Sequence, residues 1–150
     1  MIDNEVISVR GDVTVELYSS DGSLKHREDI RNLVTTAGKN FIVRKMNGDS
    51  ETINKIAIGD GSTVATLLDV SLANELARSS LQYTFVDTVE TNVIRYICTF
   101  AENIGTGTIR EVGLLSNSVT PKLLCRTVLT TPFSKQATDY LVVNWKLQIG

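Results

Sequence analysis

Residues 53–78, INKIAIGDGSTVATLLDVSLANELAR, change character three times within one mid-chain segment. Asn54 to Ile58 reads as a short strand with Ile56 and Ile58 on one face, the two-residue period of a pleated chain. Gly59-Asp60-Gly61-Ser62 stops it, because glycine adopts backbone angles that a Cβ disfavours. Thr63 to Asp69 is a polar-to-apolar loop. Ser71 to Arg78 reads as a short helix, with Leu72 and Leu76 four apart and Glu75 and Arg78 at salt-bridge spacing. Sheet-like sequence lies on either side, so this segment is expected to connect two halves.

On the N-terminal side, Asp12 to Tyr18 alternates cleanly, with Val13, Val15 and Leu17 on one face, as in a half-buried antiparallel strand. Ser19-Ser20-Asp21-Gly22 is a hairpin turn, and Ser23 to Ile30 returns as its partner with Leu24 inward. His26, Arg27, Glu28 and Asp29 are too polar for burial on both faces, which places that strand at an edge or facing solvent. Asn32 to Met46 is the best helix, capped by Thr35 or Thr36 and ended by Asn47-Gly48-Asp49-Ser50. Gly38 weakens it by about 1 kcal/mol relative to alanine.

On the C-terminal side, Leu81–Asp87, Val93–Ala101, Thr108–Ser116, Lys122–Leu129 and Tyr140–Ile149 read as strands. The last has Leu141, Val143, Trp145, Leu147 and Ile149 on one face. Gly113 inside a strand signals a bulge or a close backbone approach. Thr130 to Asp139 is a polar connection. Short strands, frequent turns and two prolines define a mainly β fold, an antiparallel β-sandwich with one or two short helices. Residues 1–150 form a single domain, with residues 1–10 as an N-terminal arm.

The chain has 150 residues, enough to bury one core, and 42% hydrophobic with 21% charged residues matches a globular domain. No apolar run approaches the ~18 residues of a membrane helix, and Met1–Arg10 lacks the pattern of a signal peptide. Fifteen basic against 17 acidic residues, net charge -2, lacks the basic excess of a nucleic-acid binder. The expectation is therefore neither membrane nor nucleic acid as partner. Cys98 and Cys125 fall in apolar strand patterns and read as buried free thiols. His26, the only histidine, is far from both in sequence, which argues against a metal site.

Several short motifs invite chemistry. Arg10-Gly11-Asp12 matches an adhesive tripeptide, but a glycine turn is expected before a strand. Gly59-Asp60-Gly61-Ser62 lacks the lysine of a phosphate loop and the extra carboxylates of a calcium loop, leaving a structural turn. No Gly-x-Ser-x-Gly elbow occurs. Glu16, Glu28, Glu75, Glu90, Glu102 and Glu111 are scattered without acid/base pairing. Glu111 is the unusual one, set in an apolar strand, with Arg110 and Arg126 as candidate salt-bridge partners. No catalytic, cofactor-binding or metal-binding residues are assigned.

One ordered set remains: Asp21-Gly22; residues 32–41, NLVTTAGKNF; Ile56 to Gly61; Leu72 to Arg78; Ile109 to Ser116; and a terminal strand with Trp145. In this order the set resembles a group of small tailed-bacteriophage virion proteins. There an Ile-Gly-x-Gly loop, a Leu-x-x-Glu-x-x-Arg helix and an Ile-x-Glu-x-Gly-Leu-(Phe/Tyr) strand recur. Here Leu115 replaces the usual aromatic. The resemblance implies a non-enzymatic structural role in the virion, assembled in the host cytoplasm. The first expectation is a capsid decoration (cement) protein whose partners are the major capsid protein and its own copies, as dimer or trimer. The start at Met1 and the end on a core-type strand favour that compact unit. The alternative is a tail component (fibre, collar or baseplate module). Met1 to Arg10 and Thr130 to Asp139 are the candidate contacts, and Tyr18, Tyr83 and Tyr140 are candidates for an exposed aromatic patch.

Overall fold

A computed structural model of the chain describes residues 5–120 and 122–150. In order, the elements are β1 (Val9–Tyr18), β2 (Leu24–Val34), α1 (Thr36–Met46), β3 (Ile53–Gly59), β4 (Glu75–Ser80), β5 (Tyr83–Val86), β6 (Val93–Phe100), β7 (Gly107–Ser116), β8 (Leu123–Lys135) and β9 (Tyr140–Ile149). The strands form one sheet in the order β4-β3-β7-β8-β2-β1-β9-β6-β5, and each described pairing is antiparallel. The fold is mainly β, as the alternation predicts.

The sheet curls until its ends meet. β4 and β5 are its two outermost strands, yet only Leu81 and Gln82 separate them in the chain. Leu81 N–H donates to Asn54 O at the start of β3, and Gln82 N–H donates to Ile97 O on β6. One continuous run of chain therefore passes from one sheet edge to the other. The two edges are joined through the chain and not by a strand ladder, so β4 and β5 each keep one unpaired edge. The halves on either side of β2 face each other across the main core. It contains Val13, Val15, Ile56, Phe100, Leu114 and Trp145, all essentially inaccessible to water. Trp145 also satisfies its polar edge, donating Nε1–H to Asn32 Oδ1 at 2.9 Å.

That bond explains where the first helix begins. Asn32 to Val34 continue β2, with Asn32 opposite Gly11 and Val34 opposite Cys125, so the expected helical start at Asn32 is corrected to Thr36. A Cβ on Gly11 would collide with the Asn32 amide. Gly11 therefore belongs inside β1, not in a turn, and the Arg10–Asp12 pair lies along a strand. Thr35 caps α1 by accepting the Gly38 N–H at 2.9 Å.

Further expectations change for identifiable reasons. Ser71 to Arg78 is not a helix; Lys55 to Gly59 pairs with the segment to Ser80, and ladder hydrogen bonds outweigh a weak helical period. Leu24 is exposed, because the register slips at Leu17/Tyr18 and puts His26, Glu28 and Ile30 on the inner side. β2 is not a sheet edge, although β8 pairs with its last residues alone. Thr130 to Lys135 belong to β8, whose Phe133 to Lys135 pair with Ile109 to Gly107 beyond a register shift, so only Gln136–Asp139 remains as a connection. Within the arm, Met1–Asn4 lie outside the described residues, and Val9 and Arg10 add to β1 against β9.

α1 seats on β8 through Gly38, whose backbone abuts the Leu124 carbonyl; a Cβ there would run into that oxygen. Alanine ordinarily favours a helix by about 1 kcal/mol over glycine. Here Gly38→Ala is expected to lower stability by about 1–3 kcal/mol, the range for overpacking. A reduced urea midpoint checks this; an unchanged or raised midpoint would refute the seating.

Candidate functional site

Glu111 lies on the outer face of β7, yet it is fully buried. Residues 60–74 fold over that face and supply what the carboxylate needs. Its Oε1 accepts the N–H groups of Gly61 (3.1 Å) and Asn74 (2.7 Å); its Oε2 accepts Ala73 N–H (2.9 Å) and Arg126 Nε–H (2.9 Å). Arg126, 2% exposed, also donates to Asp69 Oδ2 at 2.9 Å and to the Thr63 carbonyl at 2.8 Å. The expected Glu111–Arg126 salt bridge is present, and Arg110 takes no part in it. A carboxylate and a guanidinium removed from water are tolerable only with such compensation.

The motifs explain one another here. A Cβ on Gly59 would reach Glu111 Oε1 at 2.7 Å, and one on Gly61 would reach it at 2.5 Å. The Gly-x-Gly turn is therefore the contour of a backbone pressed against a buried carboxylate. Gly113 leaves room for Leu72 and Leu123, each 2.8 Å from where its Cβ would stand. Ala57, Leu72, Leu115 and Leu123 form a small second core under the loop. Glu75 and Arg78 do pair, at 2.7 Å, but across an irregularity in β4.

The second feature is an apolar cleft of about 640 Å³ at the end of the curled sheet. α1 walls one side with Phe41, Ile42, Lys45 and Met46; Ile53, Val86, Leu147 and neighbouring strand ends form the rest. Volume and chemistry match a binding cleft. Its rim is exposed and apolar: Met46 is 85% accessible, and Val86 and Ile149 are also open. The cause is the handover at Leu81–Gln82. β4 stays on β3 while β5 leaves to join β6, and the gap between β5 and the start of β3 is left uncovered.

The other sequence candidates do not gather. His26 lies in a charged stretch whose Lys25, Arg27 and Asp29 are exposed, but its own ring turns inward, half-buried and 4.8 Å from Phe133. Tyr18 and Tyr140 stack at 5.1 Å on the outer side of β1 and β9, whereas Tyr83 lies on β5. Cys98 and Cys125 are free and buried, and burial pushes the Cys125 thiol up to about 12. Among the described residues no three His, Cys, Asp or Glu side chains are placed to hold a metal. No described helix is long and apolar enough to cross a membrane. The cleft and the Asp69–Arg126 contact had no local signal, since both depend on which segments the sheet brings together. No protein-family model, curated protein or solved structure matches the chain.

Glu111→Ala leaves the Arg126 Nε–H and three main-chain N–H groups without an acceptor, with Asp69 as the guanidinium's remaining carboxylate, and an expected loss of about 3–5 kcal/mol. A double-mutant cycle with Arg126→Met should show strong coupling by urea denaturation; additive losses would refute the pairing. Acid should loosen the loop through Asp69. Burial, the largest single influence, raises its carboxyl, but the Thr66 N–H and hydroxyl and Arg126 together hold it below the ordinary value. A depressed folded value gives stability that is present above the unfolded value, about 3.9, and lost as pH falls through the folded one. Cleavage of residues 60–74 by an acid-active protease should rise in that window, and Asp69→Asn should flatten the rise.

Proposed function

We propose that the chain is a non-enzymatic structural protein of a tailed-bacteriophage virion, a capsid decoration (cement) protein that binds the outer shell and bridges neighbouring capsomers. The supporting observation is the convergence at Glu111. Ile-Gly-Asp-Gly at 58–61, Leu-Ala-Asn-Glu at 72–75 and Glu-Val-Gly at 111–113 bear the resemblance, and all three build the same buried contact. Residues that set a fold's path are the ones a shared architecture would require.

The exposed apolar cleft supports an interaction role, because rimmed apolar surface of this kind is a mark of protein contact. Under this reading the partners are the major capsid protein and further copies of the chain, as dimer or trimer. Packaged nucleic acid strains the shell outward, and a module spanning two capsomers adds interface area that opposes their separation. Particle assembly then takes place in the host cytoplasm. One observation favours the alternative, a tail component (fibre, collar or baseplate module): the Tyr18–Tyr140 stack is a surface platform suited to host attachment.

The test is copy number and position in purified particles, by quantitative mass spectrometry and electron microscopy. Hundreds of copies over the shell are expected. A few copies matching the symmetry of the tail would replace decoration by the alternative. Absence from particles would overturn both.

A further inference from the structure

β5 is the terminal strand of the sheet, and apart from its length of four residues it lacks the usual edge protection. Residues 81–86, LQYTFV, contain neither charge nor proline, and the β5–β6 register has no bulge. Exposed edges normally carry such devices because they pair readily with another chain. Asp87 N–H donates to Val93 O at 2.9 Å. Facing pairs in an antiparallel ladder alternate, so Phe85 and Tyr83 also turn their main chain toward β6, and Thr84 and Val86 turn theirs away. Thr84 and Val86 are the two β5 residues that line the apolar cleft. The free hydrogen-bonding edge and the apolar wall thus belong to the same opening.

The chain contains a segment with matching chemistry. Glu5, Val6 and Ile7 lie outside any element, with Val6 84% and Ile7 68% exposed. Their root is at the cleft: Ser8 and Gly150 exchange bonds of 2.6 and 2.9 Å, and Val9 and Ile149 line the opening. β9 and β6 stand between β1 and β5, so the root is three strand spacings, roughly 14 Å, from its own β5 edge. Those bonds hold it on β9.

We propose that residues Glu5–Ile7 of a second copy add as a strand along β5 and enter the cleft, the two copies exchanging arms reciprocally. This rests on the reading of the chain as a self-associating structural protein and names the surfaces involved. Main-chain bonds to Thr84 and Val86 supply the pairing, as in other strand additions. Neighbouring residues of a strand face opposite ways. One of Val6 and Ile7 therefore enters the cleft, and the other covers Tyr83 and Phe85, which are exposed on the opposite face of β5. Charge fits as well. Lys45 stands in the cleft wall with its Nζ on a neutral acceptor, the Asp49 carbonyl, and the incoming arm carries Glu5. A reciprocal exchange is isologous and closes at two copies.

Light scattering of the purified full chain tests this without particles, so it can fail while the virion reading stands, and the reverse. The expected result is a dimer that becomes monomeric in Val6→Asp/Ile7→Asp and in Met46→Glu, all exposed positions. Exchange of the Thr84 and Val86 amides should be at least tenfold slower in the dimer than in the arm variant. Glu5→Lys should weaken the dimer about tenfold in Kd, and adding Lys45→Glu should restore it. A wild-type monomer at all concentrations, or a dimer that survives the arm substitutions, would overturn the proposal. So would a dimer lost in the arm variant but retained with Met46→Glu.

Discussion

A carboxylate taken wholly out of water must have each oxygen compensated, and at Glu111 that requirement organises a large part of the chain. Its two oxygens accept three main-chain N–H groups and one guanidinium N–H. None of the three N–H groups comes from Glu111's own strand; all belong to the two ends of the 60–74 loop. The carboxylate therefore dictates where that loop leaves β3 and where it rejoins as β4. The glycines at 59 and 61 follow from the closeness of the approach. So does the sealing of Ala57, Leu72, Leu115 and Leu123 on the outer face of the sheet.

A buried ion pair of this kind need not raise stability above that of an apolar pair. What it supplies is discrimination. A shifted loop would leave a buried charge without donors, whereas a shifted leucine would lose only part of its contact. Arg126 extends the same constraint to Thr63 and Asp69, so the middle of the loop is held as well as its ends. The curl of the sheet is a separate consequence, set by the chain passing from β4 to β5 without a break. That passage joins the two edges at one end and leaves a wedge at the other. The apolar cleft is the wedge, walled by α1.

Much of the strand pattern is legible in the residues. β9 has the bounds that its alternation of Leu141, Val143, Trp145 and Leu147 predicts, since one face meets a core and the other water. β1 and β6 follow the same rule. A threonine cap at 35 or 36 is legible because capping is a local interaction, and Thr35 is the one that caps. Glu111 stands out because an acid among apolar residues requires a partner, and Arg126 is the matching anomaly on the neighbouring strand. The segment from Leu72 to Arg78 misleads for the opposite reason. Its leucine spacing and its Glu75–Arg78 pair suit a helix, but a period of one turn is weak beside a ladder along β3. Asn32 to Val34 mislead similarly, because β1, β8 and the Trp145 indole offer partners that no local pattern reveals.

The sequence by itself determined the mainly antiparallel β character, the existence and C-terminal end of helix α1, the buried thiols and the need to pair Glu111. Each follows from period, turn chemistry or the cost of burying a charge, quantities that neighbouring residues express. Tertiary structure alone decided that Ile-Gly-Asp-Gly, Leu-Ala-Asn-Glu and Glu-Val-Gly are parts of one contact, that the sheet closes through Leu81–Gln82, and that an apolar cleft opens beside β5. These depend on strand order and register, which bring together residues tens of positions apart. No local periodicity encodes that proximity.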